Sequence, residues 1–174
     1  MTKMTTLFVL NRITNAFLLF VCTLFLLYPG ANGFGGIVSS KYNMFLLSCG
    51  GYVFLMLFLI TVSVLFSPKK KKRILAAFNR TGWTQRFLAI YLLLTWLSAL
   101  LSPYFPETLI GSSRYEGALT ITIYVVCFFL VRAYGQINKT LVATFGTAVT
   151  LFDLLCIIQI YGGNPFTLYP TGYG

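Results

Sequence analysis

The chain has 174 residues, of which 57% are hydrophobic and only 9% charged, and its formal net charge is +10. A soluble globular domain usually carries about 25% charged residues, so this composition excludes a water-soluble globule with an ordinary polar surface. The mean hydropathy of +0.82 and the grouping of apolar residues in long runs instead predict an all-α, polytopic integral membrane protein.

Five apolar runs predict five transmembrane helices in a single helical domain that covers residues 1–174. The runs have roughly the length that crosses a ~30 Å hydrocarbon core, and they lack the period-two alternation of membrane strands. In lipid, a helix also satisfies its own backbone hydrogen bonds. In chain order the predicted helices are 7–28, 42–66, 87–101, 118–131 and 141–161.

The first run has two interpretations. Its uninterrupted core, residues 16–28, is short enough to overlap the apolar region of a cleaved signal peptide. The segment Ala31-Asn32-Gly33 that follows is a poor match to a cleavage site. We therefore expect a retained membrane helix, with the side chain of Arg12 extending to the lipid headgroups.

The basic residues predict an orientation. Loops on alternate sides of the five predicted helices collect eleven Lys and Arg residues on one side and two on the other. The positive-inside rule makes the larger group cytoplasmic, so the N-terminus lies inside and the end of the fifth helix lies outside. The densest basic segment directly follows the second helix, which favours an anchor on anionic lipid over a nucleic-acid site. This segment comprises Lys69, Lys70, Lys71, Lys72 and Arg73.

Cysteine and histidine usage predicts no metal site and no cofactor. The chain has no His, and its cysteines lie in or beside apolar runs without forming a CxxC pair. Such cysteines are typical of small buried hydrophobic side chains.

Asp153 is the only acidic residue inside a predicted span. It precedes Tyr161 by eight residues, which places it roughly 12 Å below the outer end of the helix. Because an ionisable group at that depth is costly, we expect it to face protein or water. It shares a small, polar face with Gly146 and Thr150, so it belongs either to a packing seam or to a substrate or proton path. Gln159, nearer the surface, is a weaker candidate of the same kind.

The segment 102–117 is the most polar part of the predicted outer surface. Its two prolines exclude a simple helix. Arg114, beside Ser112 and Ser113, has the donors to bind a phosphate or diphosphate. The alternative is an ordinary exposed loop in which Arg114 pairs with Glu107 or Glu116.

Two segments resemble the O-antigen ligase and O-antigen polymerase superfamily. In the first, WLSALLSPYFPETLIGSSRYEGALTITIYVVCFFLV at 96–131, a helix ends in a Ser- and Pro-containing segment and leads through a loop with Gly and Arg to another helix. The second, IIQIYGGNPFTLYP at 157–170, passes from a helix into an extracytoplasmic loop. The matching positions are Ser98 to Pro103, Gly111, Arg114, Glu116 and Gly117, and then Gln159, Gly162, Asn164 and Pro165.

The resemblance implies metal-independent transfer of a glycan from a polyprenyl diphosphate carrier, in a bacterial cytoplasmic membrane. Members of that family have ten or more membrane helices and hold their catalytic residues in a large outer loop of the second half. The resemblance therefore implies that this chain is an N-terminal portion, inactive alone, with Arg114 as a diphosphate ligand. Two alternatives stay open: a fragment of a transporter or flippase with Asp153 lining its path, and a small non-catalytic membrane protein that binds partners.

Overall fold

The computed structural model describes residues 5–28, 30, 36–66, 82–112 and 114–161. The regular structure within these ranges is helical, with no strand. This confirms the predicted all-α class. The basic segment Lys69 to Arg73 and the residues from Gly162 onward, including Asn164 and Pro165, lie outside the described residues.

Seven α-helices and two π-helical turns form in the described part of the chain. In order they are α1 (Thr5–Phe20), a π turn (Val21–Phe25), α2 (Ile37–Phe45), a second π turn (Leu46–Gly50), α3 (Gly51–Phe66), α4 (Trp83–Leu101), α5 (Phe105–Ile110), α6 (Ala118–Tyr134) and α7 (Lys139–Ile160).

Four helices of the described chain are long and apolar enough to cross a membrane. They are Thr6–Phe25, Ile37–Phe66, Trp83–Leu101 and Lys139–Ile160. The second of these spans comprises α2, the π turn Leu46–Gly50 and α3. Its 30 residues correspond to a length of about 45 Å. The predicted helix 118–131 is present as α6, but at 17 residues it is shorter than the other four.

The long helices direct most of their apolar side chains outward. Between 6% and 17% of each spanning stretch is buried within the protein, and residues such as Leu47, Phe54 and Phe66 are mostly exposed. Soluble monomers rarely expose apolar surface of this extent. The exposed surface indicates contact with a lipid bilayer.

The chain divides into two compact units. The first comprises Met1–Thr14 and Ser48–Gly135. Here α6 packs against α3, α4 and α5, and α5 also packs against α4. The hydroxyls of Thr14 and Tyr52 form a buried hydrogen bond of 3.0 Å. The indole of Trp96 donates to Thr122 Oγ1 at 2.9 Å and links α4 to α6.

The second unit comprises Asn15–Leu47 and Gln136–Gly174. The π turn Val21–Phe25 packs against α7 and α2. At the start of α7, the side chain of Asn138 accepts a hydrogen bond from the backbone N–H of Leu141, which satisfies one donor of the first turn.

Candidate functional site

The polar segment after α4 contains a short helix, α5. The two prolines of this segment had predicted that it is not a simple helix. Pro106 falls in the first turn of α5, where a backbone N–H has no partner within the helix and its loss costs little. Glu107 also lies in this turn, where its negative charge complements the helix dipole. Gly111 ends α5 in a conformation with φ of +87° that favours glycine.

The residues 111–117 form a closed loop that requires glycine at both ends. A Cβ atom on Gly111 would lie 2.5 Å from the backbone N of Glu116, and one on Gly117 would collide with the carbonyl O of Leu109. The backbone N–H of Gly117 donates to Ile110 O at 3.2 Å. The loop therefore folds back directly onto the end of α5.

Tyr115 holds the middle of this loop in an uncommon conformation. Its φ is +56°, in the left-handed region that non-glycine residues seldom occupy. The hydroxyl of Thr120, in the first turn of α6, donates to the carbonyl O of Tyr115 at 2.7 Å. The start of α6 thus fixes the loop between Arg114 and Glu116.

A groove of about 610 Å³ lies between α4, α5, the 111–117 loop and the start of α6, all within the first unit. We call it the α4–α6 groove. Its lining includes apolar side chains from the middle of α4 and from α6, and hydroxyl and carboxylate groups near the loop. The apolar lining residues include Tyr91, Leu94 and Ile121, and the polar lining residues include Ser98, Ser102, Thr108, Glu107 and Glu116.

Polarity changes along the α4–α6 groove. Tyr91 and Ser102, both in the lining, are eleven residues apart, which corresponds to roughly 16 Å along a helix. Tyr91 and Leu94 lie inside the candidate span Trp83–Leu101, and Ser102 lies directly after it. Thr95 and Ser98 follow Leu94 in the lining, still within the span, and Glu107, Thr108 and Glu116 lie near the loop. The groove therefore becomes more polar from Tyr91 towards the loop, as an amphiphilic ligand requires.

Two of the three predicted diphosphate ligands are described, and they lie on the loop beside this groove. Arg114 and Ser112 are exposed, and Ser113 lies outside the described residues. Arg114 forms no ion pair with Glu107 or Glu116, although the structure describes all three residues. Among the described residues, the guanidinium of Arg114 therefore has no acidic partner.

The two carboxylates are the part of the site that the sequence analysis did not assign. Glu107 and Glu116 both line the α4–α6 groove, and they are two of only three acidic residues in the chain. A usable signal was their place in one polar segment, with Glu107 shortly before the 111–117 loop and Glu116 within it. Without the fold of α5, however, the sequence does not show that both residues line the same groove.

The intramembrane candidates lie in the second unit, and the structure separates them. Asp153 is exposed on α7, whereas Gln159 is half-buried. Six residues apart, they point about 120° away from each other around the helix. No cluster of three or more His, Cys, Asp or Glu side chains suited to a metal ion occurs in the described ranges.

These features define the class of the molecule: a helical protein with four helices suited to a membrane and a polar-ended groove beside a closed loop. A scan of the chain against models of known protein families found no match, and searches of curated proteins and of solved structures found none either.

Proposed function

We propose that the chain is the N-terminal membrane portion of a ligase or polymerase that transfers glycans from polyprenyl diphosphate carriers, and that the α4–α6 groove binds the carrier lipid. One observation carries this proposal, namely the change from apolar to polar lining along the groove. In this assignment the first isoprene units lie against Tyr91 and Leu94, and Ile121 lies closer to the loop, in the first turn of α6. The hydroxyls and carboxylates at the other end bind sugar hydroxyls.

The diphosphate is assigned to the side of the loop that bears Arg114. A diphosphate placed among Glu107 and Glu116 would be repelled by both carboxylates, whereas the exposed guanidinium of Arg114 has no competing acidic partner in the described chain. Charge-assisted, bidentate hydrogen bonds from arginine to phosphate are among the strongest available to a protein. Arg114 is therefore assigned to the diphosphate, and Ser112 with Ser113 to supporting hydrogen bonds.

The proposal includes five membrane helices, with the N-terminus cytoplasmic and the end of α7 outside. The four long spans and the shorter α6 support this count, because 17 residues lie at the lower limit for crossing the hydrocarbon core. In this orientation the 111–117 loop is extracytoplasmic, and Lys69 to Arg73 contact anionic lipid on the cytoplasmic side. The proposed location is the bacterial cytoplasmic membrane.

Binding of a fluorescent polyprenyl diphosphate disaccharide to the purified protein in nanodiscs tests the assignment. Arg114→Ala should weaken binding about 10- to 100-fold, because it removes charge-assisted hydrogen bonds to the diphosphate. Glu116→Gln should weaken binding of the disaccharide form more than binding of the bare polyprenyl diphosphate.

Arg132→Ala is the matched control, because it removes one exposed arginine from the other end of α6. Its affinity for the probe should stay within about twofold of that of the parent chain. Equal weakening by the two arginine substitutions would assign the effect to net charge and would contradict a diphosphate site at Arg114.

A further inference from the structure

The second unit carries a membrane-exposed polar face on α7 that its own contacts do not cover. Ala148, at 3% exposure, is the buried residue of this helix. Gly146, Thr150 and Asp153 are all exposed. At about 100° per residue, these three lie within about 60° of one another and on the side opposite Ala148. We call them the Asp153 face.

The Asp153 face is open to close approach. Within the described chain, no atom outside the local backbone of α7 lies within 4 Å of the position that a Cβ would occupy on Gly146. The hydroxyl of Thr150 donates to the carbonyl O of Gly146 at 2.9 Å, so its donor is satisfied within the helix. Small residues of this kind allow the backbones of two membrane helices to come into contact.

The side chain of Asp153 determines which kind of partner can cover this face. Asp153 lies eight residues from Tyr161, inside the candidate span Lys139–Ile160, and its side chain forms no ion pair or hydrogen bond in the described part of the chain. An acidic side chain at the centre of a membrane helix costs at least about 2.5 to 3.5 kcal/mol when it faces lipid. Its side chain is too short to reach the headgroups in the way that lysine and arginine do.

A second copy of α7 lacks a complementary group. Between residues 140 and 161 the sequence has no Lys or Arg, and pairing two copies of this face would place two aspartates together. Charge complementarity instead requires a helix that brings a cation to this depth.

We propose that the Asp153 face binds a partner membrane helix that carries one lysine or arginine at the depth of Asp153. Gly146 and Thr150 provide the close backbone contact, and the carboxylate of Asp153 pairs with the cation. This interface does not depend on the glycan-carrier assignment, because it lies in the second unit.

A designed leucine–alanine helix with a single lysine about eight residues from one end is the probe. Energy transfer between the labelled peptide and the labelled full chain in liposomes measures binding. The lysine peptide should bind about tenfold more tightly than the same peptide with leucine at that position. Asp153→Asn should abolish this difference, and Gly146→Leu should weaken binding of both peptides by blocking close approach.

Thr147→Leu is the control for added bulk, because Thr147 is also exposed on α7 but lies about 100° from Gly146. It should leave binding of the lysine peptide unchanged. Equal affinity for the lysine and leucine peptides, or an Asp153→Asn chain that still prefers lysine, would overturn the proposal. So would self-association of the chain that depends on Asp153 and excludes the peptide, since that result would identify a second copy as the occupant.

Discussion

At the scale of single residues, the two glycines of the 111–117 loop have different structural reasons to be glycine. Gly111 needs a positive φ and also contacts the backbone of Glu116. Gly117 has an ordinary φ of −82° and is limited only by its close contacts with the backbone of Leu109 and Ile110. In the sequence, Gly111 and Gly117 were matching positions of the O-antigen ligase and polymerase resemblance. The structure shows that closure of the loop onto α5 is sufficient to require both.

We expect Gly117→Ala to destabilise the first unit by about 2 to 3 kcal/mol, because the added methyl group meets rigid backbone rather than a flexible side chain. Thermal unfolding in detergent, followed by circular dichroism, measures this loss. Gly51→Ala is the control, since in the described residues no atom outside the local helix backbone lies within 4 Å of a Cβ at Gly51, and alanine is the better helix former. A Gly117→Ala chain as stable as the control would show that the loop does not close in this way.

At the scale of helices, the apolar runs predicted which segments are helical but not how they pack. The predicted range 42–66 lacked the first residues of the long helix Ile37–Phe66, because Ser39, Ser40 and Lys41 interrupt the apolar run that marked its start. The helix α5 was not predicted, because a proline in a first turn and a proline in a loop have the same appearance in sequence.

The packing of α4 on α6 depends on a polar pair that hydropathy does not reveal. The indole N–H of Trp96 donates to Thr122 Oγ1 at 2.9 Å, and the same hydroxyl donates to Ala118 O at 2.7 Å. We expect Thr122→Val to cost about 1 kcal/mol and to shift the tryptophan emission, because the indole loses its acceptor. Thr122→Ser retains the hydroxyl and should preserve both the emission and the unfolding temperature. Identical behaviour of the two variants would contradict this contact.

At the scale of the whole molecule, composition predicted a membrane protein, because 9% charged residues are too few for a soluble surface. The long apolar runs without period-two alternation predicted that it is helical. The candidate site was predictable only in part. Arg114 was proposed as a phosphate ligand from its position beside Ser112 and Ser113, and this assignment stays a prediction. The groove was not predicted, because it depends on the fold of α5 and of the 111–117 loop, which brings Glu107 and Glu116 to one lining. Such a convergence comes from tertiary packing and leaves no periodic signal in the sequence.

Binding of an extracytoplasmic glycan carrier requires the 111–117 loop to face outward while the basic segment faces the cytosol. Cysteine accessibility in intact cells tests this requirement, in a chain whose four native cysteines are replaced by alanine. A membrane-impermeant maleimide should label Ser112→Cys in intact cells and should label Lys70→Cys only after the membrane is permeabilised. Labelling of Lys70→Cys in intact cells, with Ser112→Cys protected until permeabilisation, would place Arg114 on the cytoplasmic side and contradict the proposed function.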